Sequence, residues 1–161
     1  MRRALVSAIV SALVVGAAPA AALRDEPPSA HLRYRGDRIQ RAHLAASCWP
    51  GKDGAVGCGE TQPMTWPKVD RVTKGARLRV RIRWWREPKG VFVDSYRSIG
   101  RNGRPRDRGK DIRSTKRRRR IDGRTVWDVI FRLRATREHF VKVLIQRPHT
   151  VAWNIHVEVV D

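Results

Sequence analysis

The densest chemistry in the chain is cationic. Between Arg101 and Arg120 eleven basic residues stand against Asp107 and Asp111, a net of +9 in twenty positions. Arg101, Arg104, Arg106 and Arg108 are spread among glycines and a proline, and Lys116, Arg117, Arg118, Arg119 and Arg120 follow without a break. Closely spaced guanidiniums displace the counterions condensed on a phosphate or sulfate polymer, so the run has the ingredients of a polyanion clamp whose grip weakens with salt. A second row, Arg77, Arg79, Arg81 and Arg83, alternates with Leu78, Val80, Ile82 and Trp84. In a strand this alternation sets the four guanidiniums on one face at ~6.8 Å intervals. Stacking aromatics direct such a surface toward nucleic acid, and Trp85 beside the second row is the candidate. The plainer reading is a solvated charge run that keeps the protein in solution.

Catalysis has less to build on. Glu138 and His139 are adjacent, and a secreted basic nuclease or toxin can use such a pair with arginine as acid, base and phosphate clamp. Neighbours in a strand point to opposite faces, so the pair converges only at a turn. There is no Gly-x-Ser-x-Gly elbow, no His-Glu-x-x-His and no phosphate-cradling glycine loop. His31, His43, His139, His149 and His156 form no cluster at ligand spacing. The expectation is a protein that is not an enzyme and takes no metal or cofactor, with the small nuclease as the alternative.

The first residues supply an address. Arg2 and Arg3 precede an uncharged run from Ala4 to Ala18, and Ala-Pro-Ala-Ala-Ala follows, the pattern of a secretory signal peptide over Met1–Ala22. An uncleaved anchor is the rival, but fifteen helical residues reach roughly 22 Å against a hydrocarbon core of ~30 Å. No later segment is apolar enough to span a membrane, so the mature chain is expected to be exported, soluble and without a transmembrane segment. Removing the leader takes two arginines and no acid, so the formal charge of +20 falls to +18. Charge of that size favours acidic partners: nucleic acid, teichoic acid or a sulfated glycan. In an exported chain Cys48 and Cys58, the two cysteines, are expected to pair.

These groups must be positioned by strands. Leu23 to about Gly36 is short and charged and holds Pro27-Pro28, which reads as a flexible lead-in (23–36) to a domain over 37–161. From there the apolar period is two: Arg77–Trp84, Trp127–Arg134, Val141–Gln146 and Trp153–Val160 alternate clearly, and Ile39–Trp49, Val69–Val72 and Val91–Tyr96 less regularly. Trp84, Trp127, Phe131 and Trp153 share faces with aliphatic residues and are expected in the core, with Arg79, Arg81, Arg132 and Arg134 facing water. Trp49 and Trp66 are placed to cover the disulfide. About seven short strands make an all-β, immunoglobulin-like antiparallel β-sandwich, with a small β-barrel as runner-up. The segment 98–123 cannot bury a face and is expected as a mobile basic loop or a long, poorly ordered hairpin.

One stretch carries a likeness. Ala45-Ala46-Ser47-Cys48-Trp49, a glycine-rich loop to Cys58-Gly59-Glu60, Pro63 and Pro67, and a strand after Gly75 resemble a group of small exported actinobacterial proteins of unknown function. In these an Ala/Gly-Ser-Tyr-Cys-Trp segment precedes a second cysteine, an acidic residue and an immunoglobulin-like β domain. The similarity spans roughly 39–93, and beyond it only the strand pattern continues. Ser47 stands where a tyrosine is usual, and Glu60 near a usual aspartate. The resemblance implies the disulfide and the sandwich, and carries over no catalytic residue.

Overall fold

A computed structural model describes residues 26–50, 55–146 and 149–161; the leader expected at Met1–Ala22 lies outside them. Twelve strands follow in order: β1 (Ala30–Tyr34), β2 (Asp37–Arg41), β3 (His43–Pro50), β4 (Val56–Glu60), β5 (Asp70–Thr73), β6 (Arg77–Ile82), β7 (Gly90–Tyr96), β8 (Lys110–Asp111), β9 (Thr115–Ile121), β10 (Arg124–Arg132), β11 (Glu138–Gln146) and β12 (Thr150–Val160). They form two sheets, one in the order β2-β1-β6-β10-β9 and one in the order β4-β3-β12-β11-β7-β8. Every pairing is antiparallel except β5, which runs parallel to β12 beyond the end of β3. The result is the expected antiparallel sandwich and not a closed barrel.

The alternation explains why the two sheets meet. Leu78, Val80 and Ile82 of β6 point inward with Leu32 of β1 and Trp127, Val129 and Phe131 of β10. Val93, Val141, Val143, Trp153 and Ile155 face them from the other sheet. Trp84, Trp127, Phe131 and Trp153 are all buried, as the period-two reading requires. Two hairpins are closed by residue pairs with positive φ, Arg35-Gly36 between β1 and β2 and Asp122-Gly123 between β9 and β10. Asp-Gly suits such a turn because both central residues of the tight type I′ hairpin need φ above zero.

Three expectations are corrected. The strands number more than seven, partly because the candidate Ile39–Trp49 is two strands: β2 lies in the five-stranded sheet, and past Ala42 the chain crosses to β3 in the other. The lead-in is not wholly loose. Ala30 pairs with Ile82, the carbonyl of Ser29 accepts the Arg83 amide, and the carbonyl of Pro28 accepts the buried Trp153 indole N–H. Its charges hid the alternation of Ala30 and Leu32 with His31 and Arg33.

The third correction concerns 98–123, which carries strand pairing and loop hydrogen bonds in place of a structureless stretch. Its second half is β9, an edge strand whose faces stay largely exposed and therefore tolerate a run of arginines. Its first half is a compact loop held by backbone bonds, Gly100 N–H to Arg104 O (2.7 Å) and Arg106 N–H to Ser98 O (3.1 Å). Asp107 accepts the Arg97 amide, and Trp66 donates its indole N–H to the Gly103 carbonyl at 2.7 Å. Backbone groups, the Asp107 carboxylate and the Trp66 indole make these contacts, so the arginine side chains need bury nothing.

A candidate polyanion-binding face

The outer face of the five-stranded sheet is paved with guanidiniums. Register puts Arg77, Arg79 and Arg81 of β6 opposite Arg132, Ile130 and Asp128 of β10. On the far side of β10, Arg117 and Arg119 of β9 stand opposite Asp128 and Val126. On the near side, His31 and Arg33 of β1 stand opposite Arg81 and Arg79, and Arg41 and Arg38 of β2 extend the row. At the outward register positions of these five strands, Asp128 is the one acidic residue among the described residues.

Asp128 is fully buried and gathers the centre of this field. Arg81 binds it at two points, Nε to Oδ1 at 2.8 Å and Nη2 to Oδ2 at 3.1 Å. Arg119 Nε lies 2.9 Å and Arg79 Nε 3.6 Å from Oδ2. Arg79 and Arg81 therefore do not simply face water: their side chains keep only 25% and 17% of their exposure, drawn down over Asp128, whereas Arg132 and Arg134 are exposed as expected. Burial, and then the guanidiniums of Arg119, Arg81 and Arg77, pull Arg79 below its ordinary pKa, with Asp128 opposing them. One carboxylate among three guanidiniums leaves a surplus of positive charge at the middle of the sheet.

Beside that cluster the face opens into a groove of about 890 Å³. Arg33, Arg38, Arg81, Arg83 and Arg124 line it with His31 and Trp85, and the Asp122-Gly123 turn borders it. Asp122 is the only carboxylate among its lining residues. Among the described residues none of Arg33, Arg38, Arg83 or Arg124 lies within ion-pair distance of a carboxylate. His31 reports the field: burial first, then Arg38, Arg83, Arg41 and Arg33, depress its pKa to about 4.

The two basic rows divide between the sheets. Arg77, Arg79, Arg81, Arg83, Arg117 and Arg119 belong to the outer face just described. Lys116, Arg118 and Arg120 alternate with them and fall on the inward side of the β9 edge, opposite Val129, Trp127 and Thr125. Lys116 lies over the Trp127 ring and donates to Glu87 Oε1 (2.7 Å) and Pro88 O (2.6 Å). Arg101, Arg104, Arg106 and Arg108 sit in the loop that packs by Gly103 against Met64 and Trp66, on the seven-stranded sheet, and Arg104 pairs with Glu60 at 3.0 Å. The expected single clamp is thus not one surface.

Glu138 and His139 do not converge. His139 is buried, donates from Nε2 to the Ala135 carbonyl at 2.8 Å, and accepts the Ser95 hydroxyl on Nδ1 at 2.7 Å. With both nitrogens engaged and burial lowering its pKa, it is a neutral packing residue. Glu138 lies on the opposite face, 3.8 Å from His156 Nε2. Cys48 and Cys58 are register partners of β3 and β4 and form a disulfide. Trp49, beside Cys48, packs on Trp84 and His149 at centroid distances of 5.8 and 5.0 Å. Trp66 is elsewhere, edge-on to Phe140 at 5.3 Å, and does not join Trp49 at the disulfide.

Arg33, Arg38, Arg124 and His31 were not singled out by sequence. Arg33 and His31 carried a faint signal, the alternation His31-Leu32-Arg33-Tyr34, and Arg124 follows a hairpin-forming Asp-Gly. Compared with known proteins, the chain matches no family model, no curated protein and no solved structure.

Proposed function

We propose that this is an exported, non-enzymatic β-sandwich module of the cell envelope or extracellular space that holds an acidic polymer on the outer face of its five-stranded sheet. The observation that carries the reading is the groove in which Arg33, Arg38, Arg83 and Arg124 converge against a single lining carboxylate, Asp122, with none within ion-pair distance among the described residues. Like charges set opposite one another across strands cost stability. A protein that sets one carboxylate, Asp128, against three of the face's guanidiniums and leaves the groove positive retains a site that an anionic chain relieves. The leader pattern and the Cys48–Cys58 disulfide support an oxidising compartment outside the cytoplasm.

The test is binding of heparin, polyphosphate and DNA over a salt series. Log affinity falls linearly with log salt, with a slope that counts the phosphates neutralised. Arg33→Glu with Arg83→Glu is expected to reduce both affinity and slope for every polyanion. Loss of the reading follows if nothing binds at low salt, or if the double variant binds as well as the parent chain.

A further inference from the structure

Guanidiniums alone accept any polyanion; the exposed indole that lines the groove does not. Trp85 is 47% exposed, the most exposed of the described tryptophans, and it lines the cationic groove. It also lines a second, apolar notch with Pro28, Trp49, Trp84 and His149, so groove and notch meet at Trp85 and at Arg83, which borders both. The Arg86 guanidinium lies 4.2 Å over the Trp85 ring and holds the indole by a cation–π contact. An exposed, braced aromatic next to a row of phosphate-binding groups is the arrangement by which proteins hold unpaired bases.

We infer that the acidic polymer is single-stranded nucleic acid, with a base stacked on Trp85 at the edge of the notch and its phosphates on Arg83, Arg33 and Arg38. The inference rests on the polymer-binding reading above and narrows it. Polyphosphate, teichoic acid and sulfated glycans offer anions but no flat π-face. A duplex offers phosphates with its base faces hidden in the stack. A single strand offers both, and a groove of about 890 Å³ falls within the ~300–1,000 Å³ of small-ligand clefts, room for a short stretch of chain. Asp122, in the β9–β10 turn, is the one carboxylate lining the groove and Glu26 the one lining the notch, against five arginines on the groove, so the cationic lining is where the backbone lies.

The experiment is fluorescence anisotropy of a labelled oligo(dT) on the full chain as exported, with duplex DNA, heparin and polyphosphate as competitors. Oligo(dT) is expected to bind more tightly than a duplex of equal length at the same salt. Trp85→Ala is expected to weaken oligo(dT) about tenfold, the worth of one stacked base, while leaving polyphosphate and heparin affinities unchanged. Trp85→Phe keeps a stacking face and should restore most of the loss. If Trp85→Ala changes no affinity, or lowers all of them equally, stacking is absent and the single-strand inference falls while polymer binding stands. If heparin or polyphosphate competes better than oligo(dT) and is indifferent to Trp85, the ligand is a plain polyanion and the inference is again overturned. If no polymer binds at low salt, both fall together.

Discussion

Arg81 and Asp128 face each other across β6 and β10 as register partners and form a two-point ion pair with no part of the carboxylate exposed. The planar fork of arginine matches the carboxylate, and a paired, hydrogen-bonded charge is the form in which a buried carboxylate survives. Arg119 reaches the same carboxylate from β9, so Asp128 ties three neighbouring strands on the face where register alone would set arginine against arginine.

Asp128→Asn should therefore destabilise the domain by ~3–5 kcal/mol, the usual cost of removing one partner of a buried pair. Part of the loss should return at high salt, because the released guanidiniums repel through solvent and are screened over ~10 Å at 0.1 M. Urea denaturation of the variant at low and high salt measures both. A change below ~1 kcal/mol would mean that Asp128 does not hold this face together.

What the sequence showed here, and what it hid, follows from the same residues. The alternation in Arg77–Trp84 and Trp127–Arg134 announced strands and chose their buried faces, because side-chain period is a local property. That Asp128 is buried was not legible: the groups that cover it come from β6 and from β9, and strand neighbours are set by topology. β9 itself was hidden because Lys116–Arg120 is uniformly basic, and a run of one residue type has no period to read. The groove was hidden for a related reason, since Arg33, Arg83 and Arg124 lie far apart in sequence and meet only through β1, β6 and β10.

The same run guards an edge. β9 ends the five-stranded sheet, and Arg118 sits on its inward side opposite Trp127. Inward-pointing charge on an edge strand discourages pairing with a second chain. Arg118→Ile is expected to raise the tendency to associate, seen by light scattering as a concentration-dependent increase in mass, with little effect on the melting temperature of the monomer. A variant that stays monomeric at high concentration would show that the other basic residues of β9 suffice.

His31 offers a pH test of the groove's field. Its pKa is about 4 in the folded chain and near 6.5 when unfolded. Between these values the unfolded chain binds a proton that the folded chain refuses, so stability is full above about pH 6.5 and declines as pH falls toward 4. His139 and His149, lowered chiefly by burial, act in the same direction. His31→Gln should flatten part of the decline. By NMR the His31 ring should titrate near 4, and added polyphosphate should move that midpoint upward by offsetting Arg33, Arg38, Arg41 and Arg83. A midpoint near 6.5 that ignores polyphosphate would remove His31 and its arginines from any anion site.

Gly103 decides whether the first half of the basic segment is docked or loose. Its φ is +76°, a left-handed conformation that side chains other than glycine's rarely adopt. A Cβ there would overlap the Met64 carbonyl oxygen, which is backbone and has nowhere to swing. The Gly103 carbonyl also receives the Trp66 indole N–H, and Trp66 in turn packs on Phe140 of β11. Gly103→Ala should thus combine backbone strain with loss of a hydrogen bond, and cost ~1–3 kcal/mol of local stability. Because the loop carries Arg101, Arg104, Arg106 and Arg108 but lies on the seven-stranded sheet, its release should leave polyanion affinity of the opposite sheet unchanged. Hydrogen exchange at the Gly100 and Arg106 amides and at the Trp66 indole should accelerate together in the variant. If those protons already exchange freely in the parent chain, the loop is not docked. If Gly103→Ala weakens polyanion binding as strongly as Arg33→Glu does, the two basic regions act as one surface after all.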